Sequence, residues 1–310
     1  ENILTWNKTI ANDHNVDVLL GYTTQKSTTE WSLINASDYP DDEVYWFNAA
    51  TTKVGQGDRG QWAMISYLGR LNYDFKERYL LSLSFRRDGC SRFGSEAKFA
   101  NFPSVSAGWI ASDEAFLKKY DWLSYLKVRA SWGKVGNYNI GNYNHLSTIG
   151  SSNYVFNGGI TPGRAQGVIG NSNLTWETTE SYDGGIDLGL FNDRLFIVYD
   201  YYRKTTDGLL YQIEIPYSSG FGYIQSNIGE FRFWGHELNI ETKNMVGAFK
   251  WNTSVNLSFN KNKAIKLGTN NVHIGGNLNQ MDYNRTAVGM PLGMFDGYVY
   301  DGDVMTQAEY

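Results

Sequence analysis

The chain has 310 residues, a net charge of −5 and 42% apolar residues, with 22 Tyr, 16 Phe, 10 Trp, 33 Gly and 5 Pro. The mild acidity gives no basic footprint for nucleic acid, and no run of 18 apolar residues offers a transmembrane helix. The single cysteine, Cys90, excludes an internal disulfide framework. Abundant aromatics and glycines with few prolines suit many strands joined by polar loops.

Taken in chain order, the apolar residues recur with a period of two, the repeat of a β-strand with unlike faces. Along Tyr79–Phe85, Tyr79, Leu81, Leu83 and Phe85 oppose Ser82 and Ser84. Val105, Ala107 and Trp109 oppose Ser104 and Ser106, and Leu126, Val128, Ala130 and Trp132 oppose Lys127, Arg129 and Ser131. Tyr182, Ile186, Leu188 and Leu190 oppose Asp183 and Asp187, and Leu195, Ile197, Tyr199 and Tyr201 oppose Asp200. His236, Leu238 and Ile240 oppose Glu237, Asn239 and Glu241. In the last clear run, Phe249, Trp251, Val255, Leu257 and Phe259 oppose Lys250, Asn252, Ser254, Asn256 and Ser258.

Two architectures share this pattern. In a soluble sandwich the apolar face is core, whereas in an outer-membrane barrel it meets lipid and the polar face lines a wet lumen. The connections discriminate. Short turns at 12–13, 76–78, 192–193 and 245–247 alternate with long loops at about 31–59, 89–100, 135–172 and 264–290. That succession puts tight turns at one end of the sheet and long loops at the other, as in a barrel with short periplasmic turns and long external loops. Segment 113–124 breaks the pattern, being longer and reading as a brief helix. Trp62, Tyr67, Tyr73, Trp109, Trp122, Trp176 and Trp251 fall near strand ends, where an aromatic girdle is expected. The fold expected is an all-β antiparallel barrel portion of about eleven strands. Its lipid-facing residues include Leu81, Leu83, Trp109, Trp132, Trp251, Val255, Leu257 and Phe259.

Catalytic patterns are weak. Gly55–Gly60 matches G-x-G-x-x-G, but a strand follows where dinucleotide binding needs a helix. Asp301, Asp303 and Glu309 lack the spacing of a calcium loop, and the four histidines have no metal-ligand spacing. Asp41, Asp42 and Glu43 form a solvated acidic loop. No catalytic, metal or cofactor site is expected. The remaining candidates are loop aromatics, Trp46, Phe47, Tyr138, Tyr143 and Tyr154, with Phe156, set among Asn and Gly. Such rings suit stacking and hydrogen bonding of sugars or peptides.

Several segments resemble, in order, the SusC/RagA family of TonB-linked outer-membrane transporters. They are ERYLLSLSFRRDGCSRFG (77–94), NFPSVSAGWIASDEAFLK (101–118), LKVRASWGKVGN (126–137), NLTWETTESYDGGIDLGLFNDRLFIVYDYYRKTTDGLL (173–210) and SNIGEFRFWGHELNIET (226–242). The resemblance implies a barrel of about 22 strands around a plug, in the outer membrane of a Gram-negative, Bacteroidetes-like cell. It implies import of oligosaccharides or peptides with a SusD-like surface lipoprotein and the TonB complex. Residues 1–310 then read as the interior to late part of the barrel, without the plug, the TonB-contacting segment or the final strands. Without the resemblance, a passive porin-type channel and a secreted β-rich glycan-binding protein remain as alternatives.

Overall fold

The computed structural model describes residues 1–268, 270–278 and 281–297. The strands in chain order are β1 (Asn2–Ile10), β2 (His14–Ser37), β3 (Thr52–Phe75), β4 (Tyr79–Cys90), β5 (Phe99–Ile110) and β6 (Leu123–Asn137). There follow the short β7 (Thr148–Ser151), β8 (Tyr154–Phe156), β9 (Gly159–Thr161) and β10 (Arg164–Val168). Then come β11 (Glu177–Leu190), β12 (Leu195–Glu214), β13 (Tyr223–Val246), β14 (Lys250–Lys266), β15 (Ile274–Leu278), β16 (Met281–Thr286) and β17 (Met294–Phe295).

Ten of these form one sheet in the order β1-β2-β3-β4-β5-β6-β11-β12-β13-β14. Each strand pairs antiparallel with its neighbours, so the sheet is a meander. The short strands make two ribbons inside the 138–176 connection, and β15–β17 make a separate three-stranded piece. Among the described residues β1 and β14 are not paired with each other, so the sheet is an open arc.

Tight connections at 11–13, 76–78, 191–194 and 247–249 occupy one end. Asn12, Lys76 and Asn192 adopt left-handed backbone there, at φ 62, 55 and 56°. Connections 38–51, 91–98, 138–176 and 215–222 occupy the other end. The sorting expected from the sequence is present, with different boundaries. The 31–59 loop is mostly strand: β2 and β3 stay paired up to Ser37 and Thr52. Since β4 pairs only with Met64–Phe75, the upper half of this hairpin is a two-stranded arm with no third strand beside it. The 113–124 segment is no helix. It is a 3-10 turn at Ala111–Asp113 followed by turns closed by Leu117 N–H to Glu114 O (2.9 Å) and Lys118 N–H to Glu114 O (3.0 Å).

Register turns the separate alternations into one surface. Trp109 sits between Tyr79 and Val128, Ile186 between Val128 and Tyr199, and Leu238 between Tyr199 and Leu257. A single apolar face therefore crosses the whole sheet. Phe85, Ile186, Leu257 and Phe259 on it are exposed, whereas Leu81 and Trp132 are half-buried among neighbours. The buried core lies elsewhere. Cys90, Phe93, Phe102, Ile140, Leu174 and Trp176 cluster at the long-loop end, and Phe231, Ala264 and Leu267 form a second cluster.

Candidate functional site

The polar face carries its own network. Asp17 accepts from Asn72 Nδ2 (3.3 Å), Asp74 accepts from Asn15 Nδ2 (3.3 Å), and Ser82 Oγ donates to Asn72 (2.7 Å). Farther along, Arg129 donates through Nε to Asp187 (3.1 Å) and through Nη2 to Asp200 (2.8 Å). One guanidinium thus ties β6, β11 and β12 together, in the fork geometry that suits two carboxylates. Gly185 makes room for it: a Cβ there would run into Asp200 and lie 2.7 Å from Arg129 Cζ. A cavity of about 600 Å³ is lined by this face from Asn7 on β1 to Gly185 on β11. Residues on the first and seventh strands of the sheet can line one cavity only if the sheet curls with its polar face inward.

The apolar face is banded. On β6 Leu126, Val128, Ala130 and Trp132 lead to Lys134, and on β12 Leu195, Ile197, Tyr199 and Tyr201 lead to Arg203. On β14 Trp251, Val255, Leu257 and Phe259 lead to Lys261. From Leu195 to Arg203 is roughly 26 Å along the strand, or about 20 Å along the normal at a tilt of about 40°. That approaches the apolar band of an outer-membrane barrel, about 25 Å. Each margin holds a carboxylate gripped by a Tyr and a Trp. At the short-turn margin Glu114 accepts from Tyr79 Oη (2.6 Å) and Trp109 Nε1 (3.3 Å). At the other margin Glu180 accepts from Trp132 Nε1 (2.7 Å) and Tyr182 Oη (2.9 Å). The Tyr79 hydrogen bond, with that of Trp109 second, holds the Glu114 carboxyl below its ordinary range.

At the long-loop end the candidate aromatics divide. Tyr138 is packed: its ring lies 5.5 Å from Trp62 and 5.8 Å from Trp176, with the Arg92 guanidinium 5.6 Å away. Tyr143 is exposed at φ 68°, and its hydroxyl accepts from the Gln61 amide (3.3 Å). Trp46 is 66% exposed in the 38–51 loop with Phe47 beside it, and its ring contact is Tyr45 at 5.3 Å. Tyr154 is 67% exposed on the β8–β9 ribbon, against Phe156 at 5.0 Å. Tyr138 and Tyr143 are thus held against the base of the loops, whereas Trp46, Phe47 and Tyr154 form two free tips.

Trp62 and Trp176 do not join an aromatic girdle. Trp62 lies on the polar parity, and Trp176 is buried against Phe93 (5.1 Å) and Phe102 (5.4 Å), its indole N–H donating to Lys98 O (3.2 Å). Sequence reasoning also missed Arg92. It stacks 4.9 Å from Trp62 and donates to Asn142 Oδ1 (2.9 Å) and Tyr138 O (3.3 Å). The readable signal was Trp62, Met64, Cys90 and Phe102 breaking the alternation together on the polar parity.

The Gly55–Gly60 motif is extended backbone inside β3, with Gly55 opposite Ile34 and Gly60 opposite Thr29, so it forms no phosphate-cradling loop. Asp41 Oδ1 accepts from the Glu43 and Val44 amides, both 3.0 Å, as a local turn. Asp301, Asp303 and Glu309 lie outside the described residues. Among the described residues no His, Cys, Asp and Glu group could hold a metal, and no helix is long and apolar enough to cross a membrane.

An open antiparallel meander with an exposed apolar band, a curled polar face and loops sorted by length is a portion of a transmembrane β-barrel. The family model "TonB dependent receptor-like, beta-barrel" matches residues 2–308, and the chain belongs to that family, whose members reside in the outer membrane. It is 37% identical to TonB-dependent receptor P39 of Formosa agariphila over 86% of this chain and 26% of that protein. It is 36% identical to TonB-dependent receptor SusC of Bacteroides thetaiotaomicron over 66% of this chain and 21% of SusC. The solved RagAB peptide transporter superposes with a TM-score of 0.82 at 27% identity, covering 94% of this chain and 32% of that one. The chain therefore spans only about a quarter of the length of the curated relatives it matches.

Proposed function

We propose that this chain is the interior to late part of the barrel of an energy-coupled outer-membrane importer of oligosaccharides or peptides, and not an enzyme. The observation that carries the reading is the inverted sheet, an exposed apolar band on one face and a curled, hydrogen-bonded polar wall on the other, in a chain of the TonB-dependent receptor family. Leu81, Leu83, Trp109, Trp132, Trp251, Val255, Leu257 and Phe259 face lipid in this account. The polar wall faces the lumen and a plug carried by chain outside residues 1–310, which also supplies the contact with the TonB complex. A SusD-like lipoprotein covers the external mouth.

Likeness to a peptide transporter supports peptides as one cargo class, and likeness to receptors named TonB-dependent supports energy coupling through TonB. Trp46, Phe47 and Tyr154 are the rings free to stack on cargo, whereas Tyr138 and Tyr143 shape the surface beneath them. Sequencing the DNA on both sides of this coding region tests the reading. A plug-like segment upstream and a SusD-like lipoprotein gene downstream are expected. A frame that closes the barrel with neither would replace the importer with a passive channel.

A further inference from the structure

We propose that the connection between β5 and β6, residues 111–122, is a docking element for zwitterionic phospholipid headgroups of the periplasmic leaflet. The proposal rests on the reading that the apolar face meets lipid. It begins with the way this connection differs from its neighbours, which reverse in a few residues.

Direction is the first argument. Tyr79 and Trp109 are register partners on the apolar face, and both grip Glu114. Arg78 adds an ion pair to the same carboxylate at 3.5 Å. A connection held by those two side chains folds outward onto the lipid-side wall and not across the lumen. Its ends are fixed as well: Ile110 N–H donates to Arg78 O (2.8 Å), and Trp122 O accepts from Phe191 N–H (2.8 Å).

Surface chemistry is the second. Beyond Glu114 the connection displays Phe116, Tyr120 and Trp122, which are 58, 40 and 50% exposed. Their rings continue the apolar face at the level where Trp and Tyr prefer to sit, between hydrocarbon and water. Lys118, Lys119 and Asp121 are exposed among them, and Lys119 Nζ lies 5.0 Å from the Tyr120 ring. Asp113 and Asp121 offset the two lysines, and Glu114 is offset by Arg78, so the patch has no net excess of either charge. A mixed patch is not built for a purely anionic surface. It complements a headgroup that carries both a phosphate, for the lysines, and an ammonium, for Asp121. The aromatic side chains enter the carbonyl level beside it. Pinning Glu114 makes the patch rigid, so docking requires little ordering of the loop.

The test uses the full-length protein in vesicles of phosphatidylethanolamine with phosphatidylglycerol. A Phe116→Cys variant carries an environment-sensitive fluorophore, and a Leu257→Cys variant carries the same label on the wall. Lipids brominated near the headgroup or deep in the acyl chain serve as quenchers. The expected result is headgroup-level quenching at 116 and deep quenching at 257. Glu114→Ala should abolish quenching at 116 and leave 257 unchanged. If the label at 116 stays unquenched while 257 is quenched deeply, the docking element is wrong and the wall assignment stands. If neither label is quenched, the wall assignment itself falls. A Glu114→Ala protein that failed to assemble would leave the first comparison decisive.

Discussion

Replacing Leu257 with Arg is the sharpest perturbation of the facing assignment. Leu257 lies on β14 opposite Leu238, exposed on the apolar face. Trp251 is six residues away toward the short turns and Lys261 four residues away toward the loops. With a tilt of about 40°, these marks lie roughly 15 and 10 Å away along the normal, which puts Leu257 near the midplane. An Arg there costs about 2–4 kcal/mol in lipid. Loss of the leucine's own transfer from water adds about 2 kcal/mol. The sum, about 4–6 kcal/mol, is a large share of the roughly 5–15 kcal/mol by which a folded protein is stable. The adjacent Asn256→Arg provides the control. Asn256 pairs with Asn239 on the polar face, and lines a cavity of about 220 Å³ with Asp200 and Glu237. A guanidinium beside two carboxylates in a wet lumen should change stability by no more than about 0.5 kcal/mol. The assay is the fraction of full-length protein assembled in the outer membrane, read by heat-modifiable gel mobility, followed by denaturant titration in vesicles. Leu257→Arg should leave almost no assembled protein, and Asn256→Arg should match the parent. Equal loss in both, or assembly of Leu257→Arg, would refute the facing assignment.

The remaining expectations concern the polar wall, the loops and the periplasmic link. Arg129→Ala should lower stability by about 1–2 kcal/mol in denaturant titration, by leaving Asp187 and Asp200 facing each other without a cation; Asp200→Asn added to it should restore part of the loss, and Arg129→Lys, lacking the fork, should not match the parent. Trp176→Ala should cost about 3–5 kcal/mol locally, seen as protease cleavage within 138–176 while the barrel stays assembled. Gly136→Val should have the same signature, because a Cβ there meets the Phe102 ring and lies 3.0 Å from Trp176. The bound Glu114 titrates below its unfolded value, so its contribution is complete above that value and is lost as pH falls through the lower folded one. Hydrogen-exchange protection of the 111–122 amides should therefore hold down to the ordinary Glu range of about 4.3 and decay only below it; decay beginning well above that range would contradict the Glu114 contact.

The barrel wall was legible because lipid on one side and water on the other impose a period of two on every spanning segment. Tyr79–Phe85, Leu126–Trp132 and Phe249–Phe259 show it without help from distant residues. The upper arm of the β2–β3 hairpin was hidden for the same reason. In the upper arm, Thr24–Ser37 and Thr52–Gly60 mix polar and apolar side chains on both faces, with Trp31 and Leu33 on one and Ile34 and Ala36 on the other, so the strand has no single apolar parity to read and Gly55–Gly60 looks like a loop. The external core escaped because Trp62, Phe102 and Trp176 come from separate loops and strands that only the register brings together. Tryptophans near strand ends suit a girdle equally well in sequence, and the parity of Trp62 is the clue that opposes it. The link at 111–122 resembles a helix in composition, yet its backbone is committed to Glu114, whose carboxylate is held by Tyr79 and Trp109 on neighbouring strands. Of the candidate rings, the sequence located the loops that carry them, but not that Tyr138 is enclosed by Arg92, Trp62 and Trp176.

The most direct test of the central claim is uptake by cells producing the full-length protein. Labelled oligosaccharides and peptides are supplied with and without an uncoupler that collapses the inner-membrane proton gradient. Energy-coupled import predicts accumulation of one cargo class that stops when the gradient is lost. Entry at an unchanged rate after uncoupling would contradict the account and identify a passive channel.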